Sequence, residues 1–346
     1  MKIFIYPLFL LLSIHVNLFA QAGDDRLKEI SAMAKKDSLG WTKGGGIGFD
    51  LAGMGLVNPK IGAGGSRIGL GGLGTFFANH KAEKSYWNNG FSLQLSAQRL
   101  GKSNPNQKTG FQKNLDVLRL TSRYGYQLGT GKWFLAADAF AQTLILKTYA
   151  SNYLTPIDAN DKVVAKFLAP VQLTFSPGID YKPTPHLSFF YSPCGIQMIF
   201  VSDDSIAARG IHGNKVTREA DGSISKYSKS FFGLGSEFKA AYNNKYFNDR
   251  LSVTNGLRLF SNYLDNPQNI DVLFSNNFSI VIFKGLSLDL LGEYFYDHDV
   301  LVQKDGNGDG IYQIQLNADG TTTGPDRIGR GGQLTGAFLL KFSKIF

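Results

Sequence analysis

The chain is poor in cysteine and in long apolar runs. Cys194 is the one cysteine among 346 residues, which excludes an internal disulfide and a cysteine-rich metal site. It lies in the strand-like run 187–201, where we expect it to be packed. Beyond the N-terminal segment, no apolar run approaches the ~20 residues that a membrane-spanning helix needs.

Histidine and nucleotide-binding motifs are also scarce. The four histidines after the first twenty residues stand in no recognisable nucleophile context; they are His80, His186, His212 and His298. The chain has no phosphate loop, Cys/His cluster or dinucleotide fingerprint, because the glycines of 44–48 lack the helix that must follow them. The sequence therefore predicts a protein that is not an enzyme and has no organic cofactor.

Aromatic residues and glycine are abundant instead. Aromatics make up 13% of the chain, with 27 Phe and 15 Tyr, and there are 40 Gly. This mixture favours strands and tight turns over helices.

The clearest strand pattern is a hairpin over 271–299. On each arm, apolar residues occupy the even positions and polar residues the odd ones, a period of two that indicates strands with two unlike faces. We predict a three-residue loop, 283–285, with Gly285 in the left-handed conformation. The apolar pairs are then Ile282 with Leu286, Ile280 with Leu288, and Phe278 with Leu290.

Twelve strand-like stretches follow Trp41. Their predicted bounds are 41–56, 66–80, 86–101, 113–128, 132–147, 170–182, 186–201, 230–243, 249–263, 270–283, 286–299 and 332–346. Short connections follow even-numbered strands, and the longest connections (148–169, 202–229 and 300–331) follow odd-numbered ones. An even number of strands with this alternation is typical of outer-membrane barrels. The predicted fold is an all-β transmembrane antiparallel barrel of about twelve strands, over 41–346.

The first forty residues suggest export. Met1 to Ala20 reads as a Sec signal peptide, with Lys2, an apolar stretch over 3–12, and a cleavage box ending at Ala20. Residues 21–40 form a short helical leader, either a periplasmic tail or a plug in the lumen. The formal net charge of +9 is interpreted as loop and rim charge facing anionic headgroups rather than as a nucleic-acid site.

The C-terminal strand and the aromatics near strand ends agree with an outer-membrane location. The last strand is amphipathic and ends at Phe346, which resembles the signal read by the barrel assembly machinery. Trp87, Trp133, Tyr126, Tyr181, Tyr242 and Tyr246 lie near predicted strand ends, where interfacial girdles belong. The expected partners are outer-membrane lipid, the barrel assembly machinery during insertion, and an outer-membrane protein complex.

Several short motifs resemble one exported Bacteroidota family that is known only as a domain of unknown function. The motifs are Trp87-Asn88-Asn89-Gly90, Lys113-Asn114-Leu115-Asp116, the run 175–183, Ser192-Pro193, the run 257–263 and Tyr296-Asp297-His298-Asp299. The resemblance covers Trp41 to Phe346. It implies an outer-membrane barrel and supplies neither an activity nor catalytic residues.

One loop resembles the start of a calcium-binding loop. Asp305, Asn307 and Asp309 occupy its first, third and fifth positions, Gly310 the sixth, and the Ile311 carbonyl the seventh. The twelfth position is Leu316 instead of glutamate, which excludes a full EF-hand. The alternative is a flexible Asp/Asn/Gly turn.

The polar faces of the predicted strands carry charges of both signs. The predicted lumen residues are Arg119, Arg123, Asp138, Glu237, Arg258, Asp289 and Glu293. Mixed signs are more typical of a paired interior than of an ion-selective pore. We therefore predict a structural or accessory subunit of an outer-membrane assembly that binds partners through its loops or wall. A narrow channel or transporter for a small solute is the alternative, and a hydrolase at the 297–299 rim is the third.

Overall fold

The computed structural model describes residues 39–54, 67–100, 110–219, 223–298, 301–304, 315–316, 322–323 and 327–345. Twelve antiparallel strands form a closed barrel in which each strand pairs with the next and β12 closes on β1. The strands are β1 (Gly40–Met54), β2 (Arg67–Lys81), β3 (Ser85–Leu100), β4 (Phe111–Gln127), β5 (Trp133–Thr143), β6 (Val171–Thr184), β7 (Leu187–Phe200), β8 (Ser230–Tyr246), β9 (Leu251–Asn262), β10 (Ile270–Phe283), β11 (Leu286–Tyr296) and β12 (Gln333–Ile345). The predicted fold class is confirmed. No helix among the described residues is long and apolar enough to cross a membrane.

The largest error in the strand bounds is at β5, which was predicted to reach residue 147 and ends at Thr143. The carboxylate of Asp116 on β4 accepts the backbone N–H groups of Ile145 and Leu146 at 2.9 and 2.8 Å. These N–H groups bond to a side chain instead of a neighbouring strand, so the ladder stops there.

The predicted hairpin is right along its arms and wrong at its turn. Phe278 pairs with Leu290 and Ile280 with Leu288, as predicted. The predicted Ile282–Leu286 pair is replaced by Phe283–Leu286, because a register shift lies between Val281 and Phe283. The loop therefore has two residues, Lys284 and Gly285, and Gly285 has the expected positive φ of 87°.

The two ends of the barrel differ in their connections. Turns of a few residues join β2 to β3, β4 to β5, β6 to β7, β8 to β9 and β10 to β11. We call this the short-turn end. Aromatic rings form a row along its outer surface. The ring centroids of Trp133 and Tyr181 are 4.4 Å apart, and those of Tyr181 and Phe189 are 6.5 Å apart, and both pairs are stacked. Trp41, His80 and Trp87 form a second cluster there, with ring centroids of Trp41 at 5.1 Å from His80 and 5.8 Å from Trp87.

At the opposite end, connection 144–170 and the described parts of the next long connection, 201–219 and 223–229, fold against each other into a loop cap. A short helix, α1 (Asp204–Ala207), and two small hairpins build it: Thr148–Tyr149 with Val163–Ala165, and Val216–Arg218 with Ile224–Tyr227. Its own apolar core consists of Ala169, Val201, Ile206 and Ala207, none more than 1% exposed. The two longest described connections therefore form one packed unit.

Cys194 is exposed, which contradicts the expectation that it would be packed. It lies on β7 beside an irregularity, where the pairing with β8 shifts register between Gly235 and Glu237. A strict period of two does not continue through such a bulge, so the sequence pattern alone assigned this residue to the wrong environment.

Candidate functional site in the barrel interior

The inner face of β4 to β9 carries a connected set of charged side chains, which we call the interior network: Arg123, Asp138, Glu237, Lys239 and Arg258. The alternation of each strand turns these residues inward and turns their neighbours in sequence, most of which are apolar, outward. The structure places four of the seven predicted lumen residues in this network. Lys239 joins them.

Each carboxylate of the interior network contacts two cations. One carboxylate oxygen of Asp138 accepts a hydrogen bond from Arg123 Nε at 2.8 Å, and the other accepts one from Lys239 Nζ at 2.6 Å. The Glu237 carboxylate forms ion pairs with Arg258 Nε at 2.6 Å and with Lys239 Nζ at 3.0 Å. Lys239 therefore links the two acids, and the network joins strands that are not neighbours.

Contacts with Ser176 and Phe190 stabilise the interior network further. The Ser176 hydroxyl on β6 donates to Glu237 at 2.8 Å. The ring of Phe190, only 1% exposed, lies beneath the cations, with its centroid 4.7 Å from the Arg123 guanidinium and 5.8 Å from Lys239 Nζ. Cations over an aromatic face gain electrostatic stabilisation that grows when water is excluded.

A second polar group lies nearer the short-turn end. The Tyr86 hydroxyl donates to the fully buried Asp180 carboxylate, and Lys182 Nζ approaches that carboxylate at 3.5 Å. Lys182 Nζ also lies 3.3 Å from the centre of the Tyr86 ring. The Tyr86 ring covers Gly125, where an added Cβ would come within 2.3 Å of the ring.

The other predicted lumen residues lie apart from the network. Arg119 donates to the Gln142 side chain at 3.1 and 2.7 Å. Asp289 is fully buried, bonded to Lys341 on β12 and to Ser279 on β10, the latter at 2.6 Å. Glu293 is 8% exposed. Charges on both sides of the interior are thus held by neighbours on other strands.

Sequence reasoning missed Tyr86, Ser176, Asp180 and Lys182. Ser176, Asp180 and Lys182 lie at even positions of β6, as Thr174 does. The alternation along this strand could therefore have assigned them to the polar inner face. The bond between Tyr86 and Asp180 had no signal, since period-two patterns assign a face and not a partner on a distant strand.

The predicted rim and metal sites are largely outside the described residues. His298 Nδ1 lies 3.3 Å from the Tyr296 hydroxyl, whereas Asp299 is not described. Asp305, Asn307, Asp309 and Ile311 also lie outside the described residues, as do the predicted signal peptide and residues 21–38 of the leader. Among the residues that the structure describes, no cluster of three or more His, Cys, Asp or Glu side chains suits a metal ion.

The interior network can hold strands together but presents no reacting pair. Its acids and bases are bonded to each other, with Glu237 buried and its partners Lys239 and Arg258 22% and 35% exposed. Networks whose members are all satisfied rigidify a structure. Breaking one pair of this network is expected to cost less than the ~3–5 kcal/mol of a fully buried pair, because solvent reaches the remaining cation.

Comparison with known proteins gives one partial family match and a set of remote structural similarities. Residues 58–149 match a family described as a protein of unknown function, DUF3078, and this segment contains two of the six motifs on which the family resemblance rests. No curated protein matches the chain.

Similar solved structures include an outer membrane channel from Pseudomonas putida F1, with 10% identity, a TM-score of 0.40, and coverage of 90% of this chain and 98% of that one. The translocator domain of the autotransporter NalP from Neisseria meningitidis has 9% identity, a TM-score of 0.37, and coverage of 94% and 96%. A FadL homologue from Pseudomonas aeruginosa has 12% identity, a TM-score of 0.32, and coverage of 92% of both chains. At these identities and TM-scores, the similarities do not indicate a function.

Proposed function

We propose that this protein is a non-enzymatic outer-membrane β-barrel. Large apolar side chains cover its outer surface, as Phe49, Leu135 and Ile282 show with 64%, 57% and 55% exposure. Burying such a side chain is worth ~1.5–3 kcal/mol, so a continuous apolar belt is stable in lipid and unfavourable in water. Closure of the barrel leaves no strand edge unpaired, as hydrocarbon requires.

The barrel has a defined orientation in the membrane and a defined export route. The short-turn end faces the periplasm and the loop cap faces outward, following the usual topology of such barrels. The chain is exported by the signal peptide of Met1 to Ala20 and inserted by the barrel assembly machinery, with Phe346 in the terminal recognition strand. The resemblance of its motifs supports an outer membrane of the Bacteroidota type.

Within that membrane, the protein serves as a structural or accessory subunit of a larger assembly. The observation that carries this role is Lys239, which bonds both Asp138 on β5 and Glu237 on β8. A conducting pore needs charges that are free to interact with solute. Here Glu237 is 2% exposed and Asp289 is fully buried. The more exposed cations of the network, Arg123, Lys239 and Arg258 at 23%, 22% and 35%, are each bonded to an acid. The packed loop cap provides a surface through which the barrel binds partners.

Single-channel recording in planar bilayers tests this role against the alternative of a narrow solute channel. The native protein is expected to give no unitary conductance step, and mild-detergent extraction is expected to retain a partner protein. A reproducible step that disappears in Arg119→Ala and Arg258→Ala would contradict the accessory role and support the channel.

We also propose a calcium site, which rests on the sequence alone. A weak calcium site at Asp305, Asn307, Asp309 and the Ile311 carbonyl predicts terbium luminescence that Asp305→Asn and Asp309→Asn abolish together, with Asp265→Asn in another loop as the matched control. We do not propose a hydrolase at the rim. Undiminished native activity after His298→Ala would agree with this.

A further inference from the structure

The outer wall of the barrel has a groove of about 580 Å³ that the proposed function does not use. Its size falls within the ~300–1,000 Å³ typical of ligand sites. Two neighbouring rows of outward-facing residues line it, and the row nearer the short-turn end consists of consecutive register partners on β2 to β7. These partners are Ala78, Asn89, Ser122, Ala139, Phe175 and Ile196.

Small side chains make the floor of the groove and large ones its walls. Ala78, Ser122, Ala139 and Ala141 leave the space that Phe76, Leu173 and Met198 enclose. The Trp87 indole N–H donates to the Ser122 hydroxyl at 2.9 Å, and that hydroxyl donates to Asn89 Oδ1 at 2.8 Å. The polar groups at the lower end therefore bond to one another. The other outward-facing residues of the lining are apolar, whereas Thr121 and Thr174, also in the lining, have the parity of inward-facing residues.

The groove rises from one end of the barrel toward the other. Ala78 lies three residues from Lys81, where β2 meets its short turn. Ile196 lies nine residues from Leu187, the corresponding end of β7. With ~3.3 Å per residue and a strand tilt of ~40°, the groove climbs ~15 Å through the apolar belt.

A lysine stands at the lower end of this row. Lys43 on β1 is the register partner of Ala78 and is exposed on the outer wall. Its Nζ lies 5.9 Å from the Trp41 ring, within the Trp41–His80–Trp87 aromatic cluster that marks the short-turn end. A cation at this level meets headgroups rather than hydrocarbon.

From this arrangement we infer that the groove binds one anionic phospholipid of the periplasmic leaflet, with its phosphate at Lys43 and an acyl chain along Ala78 to Ile196. The inference rests on the proposed outer-membrane location. A partner helix fits the groove poorly: the groove crosses the strands at right angles and so lies ~50° from the membrane normal, whereas spanning helices tilt ~20° on average and up to ~40°. A flexible acyl chain can follow that slope.

The test uses full-length protein in detergent, titrated with dioleoyl phosphatidylglycerol or, for comparison, dioleoyl phosphatidylcholine, and examined by native mass spectrometry. The native protein is expected to retain one phosphatidylglycerol at roughly tenfold lower concentration than phosphatidylcholine. Lys43→Gln is expected to weaken phosphatidylglycerol binding about fivefold. The double variant Ala139→Leu/Ala141→Leu, which fills the groove, is expected to weaken binding of both lipids at least tenfold.

Matched controls separate the site from general lipid affinity. Lys284→Gln changes a lysine in the short turn between β10 and β11, and Ala240→Leu enlarges an outward residue of β8 outside the groove; neither is expected to change binding. Equal affinity for the two lipids, or equal effects of Lys43→Gln and Lys284→Gln, would overturn the inference. Retention of phosphatidylglycerol by the groove-filling variant would overturn it as well.

Vesicle flotation distinguishes failure of this inference from failure of the proposed function. A protein that floats with vesicles but shows no selective phosphatidylglycerol adduct retains the proposed location and loses the lipid site. A protein that does not insert into vesicles loses both. A polypeptide that co-purifies with the native chain and is lost from the groove-filling variant would replace the lipid with a protein partner.

Discussion

The Tyr86 hydroxyl on β3 bonds to the carboxylate of Asp180 on β6, across the two strands that lie between them. The ring reaches that far because its row of register partners on β4, β5 and β6 is Gly125, Ala136 and Gly178, all small. The small residues on β4, β5 and β6 thus leave space for the long Tyr86 side chain to reach a carboxylate three strands away.

Gly125→Ala tests this arrangement. The new Cβ would meet the Tyr86 ring at 2.3 Å, so the ring must move and the bond to Asp180 is expected to break. We expect a loss of ~1–3 kcal/mol in the free energy of unfolding, as for other overpacked sites, measured by urea titration of the barrel in detergent. Gly74→Ala on β2 is the control, because its Cβ would meet nothing within 4 Å; an equal loss in both variants would contradict the argument.

Glu237→Gln tests the interior network. The substitution removes the charge that Arg258 and Lys239 share. Because these cations are 35% and 22% exposed and Lys239 keeps its bond to Asp138, we expect a loss of ~1–3 kcal/mol in the free energy of unfolding. Adding Arg258→Met, which removes a cation and keeps an apolar stem, is expected to recover part of the loss. The same urea titration measures both variants, and a double variant no more stable than Glu237→Gln would show that the two charges are not coupled.

The loop cap is predicted to loosen in mild acid through His212. Its ring N–H bonds to the Val164 carbonyl at 2.9 Å, and burial lowers the pKa of the imidazole below its ordinary value. A folded-state pKa below the unfolded value of ~6.5 means that the neutral ring stabilises the cap above that pH and that this stability is lost as the pH falls. The protection factors for hydrogen exchange of 163–169 and 201–214, which correct for the pH dependence of intrinsic exchange, are expected to fall between pH 7.5 and 5.

His212→Gln provides the control for that experiment, since glutamine keeps an N–H donor and does not titrate in this range. The fall in protection factors between pH 7.5 and 5 should disappear in this variant. Asp203 acts in a lower window: the hydrogen bond from Lys166 holds the pKa of this carboxyl well below its usual range. Its contribution is present above ~4 and is lost in stronger acid. Identical acid sensitivity of native and variant caps near pH 6 would exclude His212 as the cause.

Two asparagines on the outer wall give a prediction about the lipid-facing surface. Asn255 on β9 and Asn276 on β10 are register partners, and the Asn255 amide donates to the Asn276 side chain. Asn276→Leu leaves Asn255 without its partner in an apolar belt and is expected to cost ~1–3 kcal/mol. The double variant with Asn255→Leu is expected to be at least as stable as the native barrel, because both polar groups are gone. A double variant less stable than the single one would contradict this view.

Alternating patterns were sufficient to predict the barrel, because a strand between lipid and a polar interior must change character at every residue. The arm pairs Phe278–Leu290 and Ile280–Leu288 followed from parity together with the placement of the turn around Gly285. The pattern failed at Phe283–Leu286 and at Cys194, where a bulge changes the parity without changing residue type. It also failed at β5, whose end depends on Asp116 from another strand, and at Tyr86–Asp180, whose distance depends on the three-dimensional closure of the wall.

The exposure of Cys194 has a practical consequence. It is the only thiol of the chain, so a maleimide dye or nitroxide reagent would attach at a single position of the unaltered polypeptide. Spectra from that label would follow insertion and partner capture in real time, with no engineered cysteine to disturb the wall.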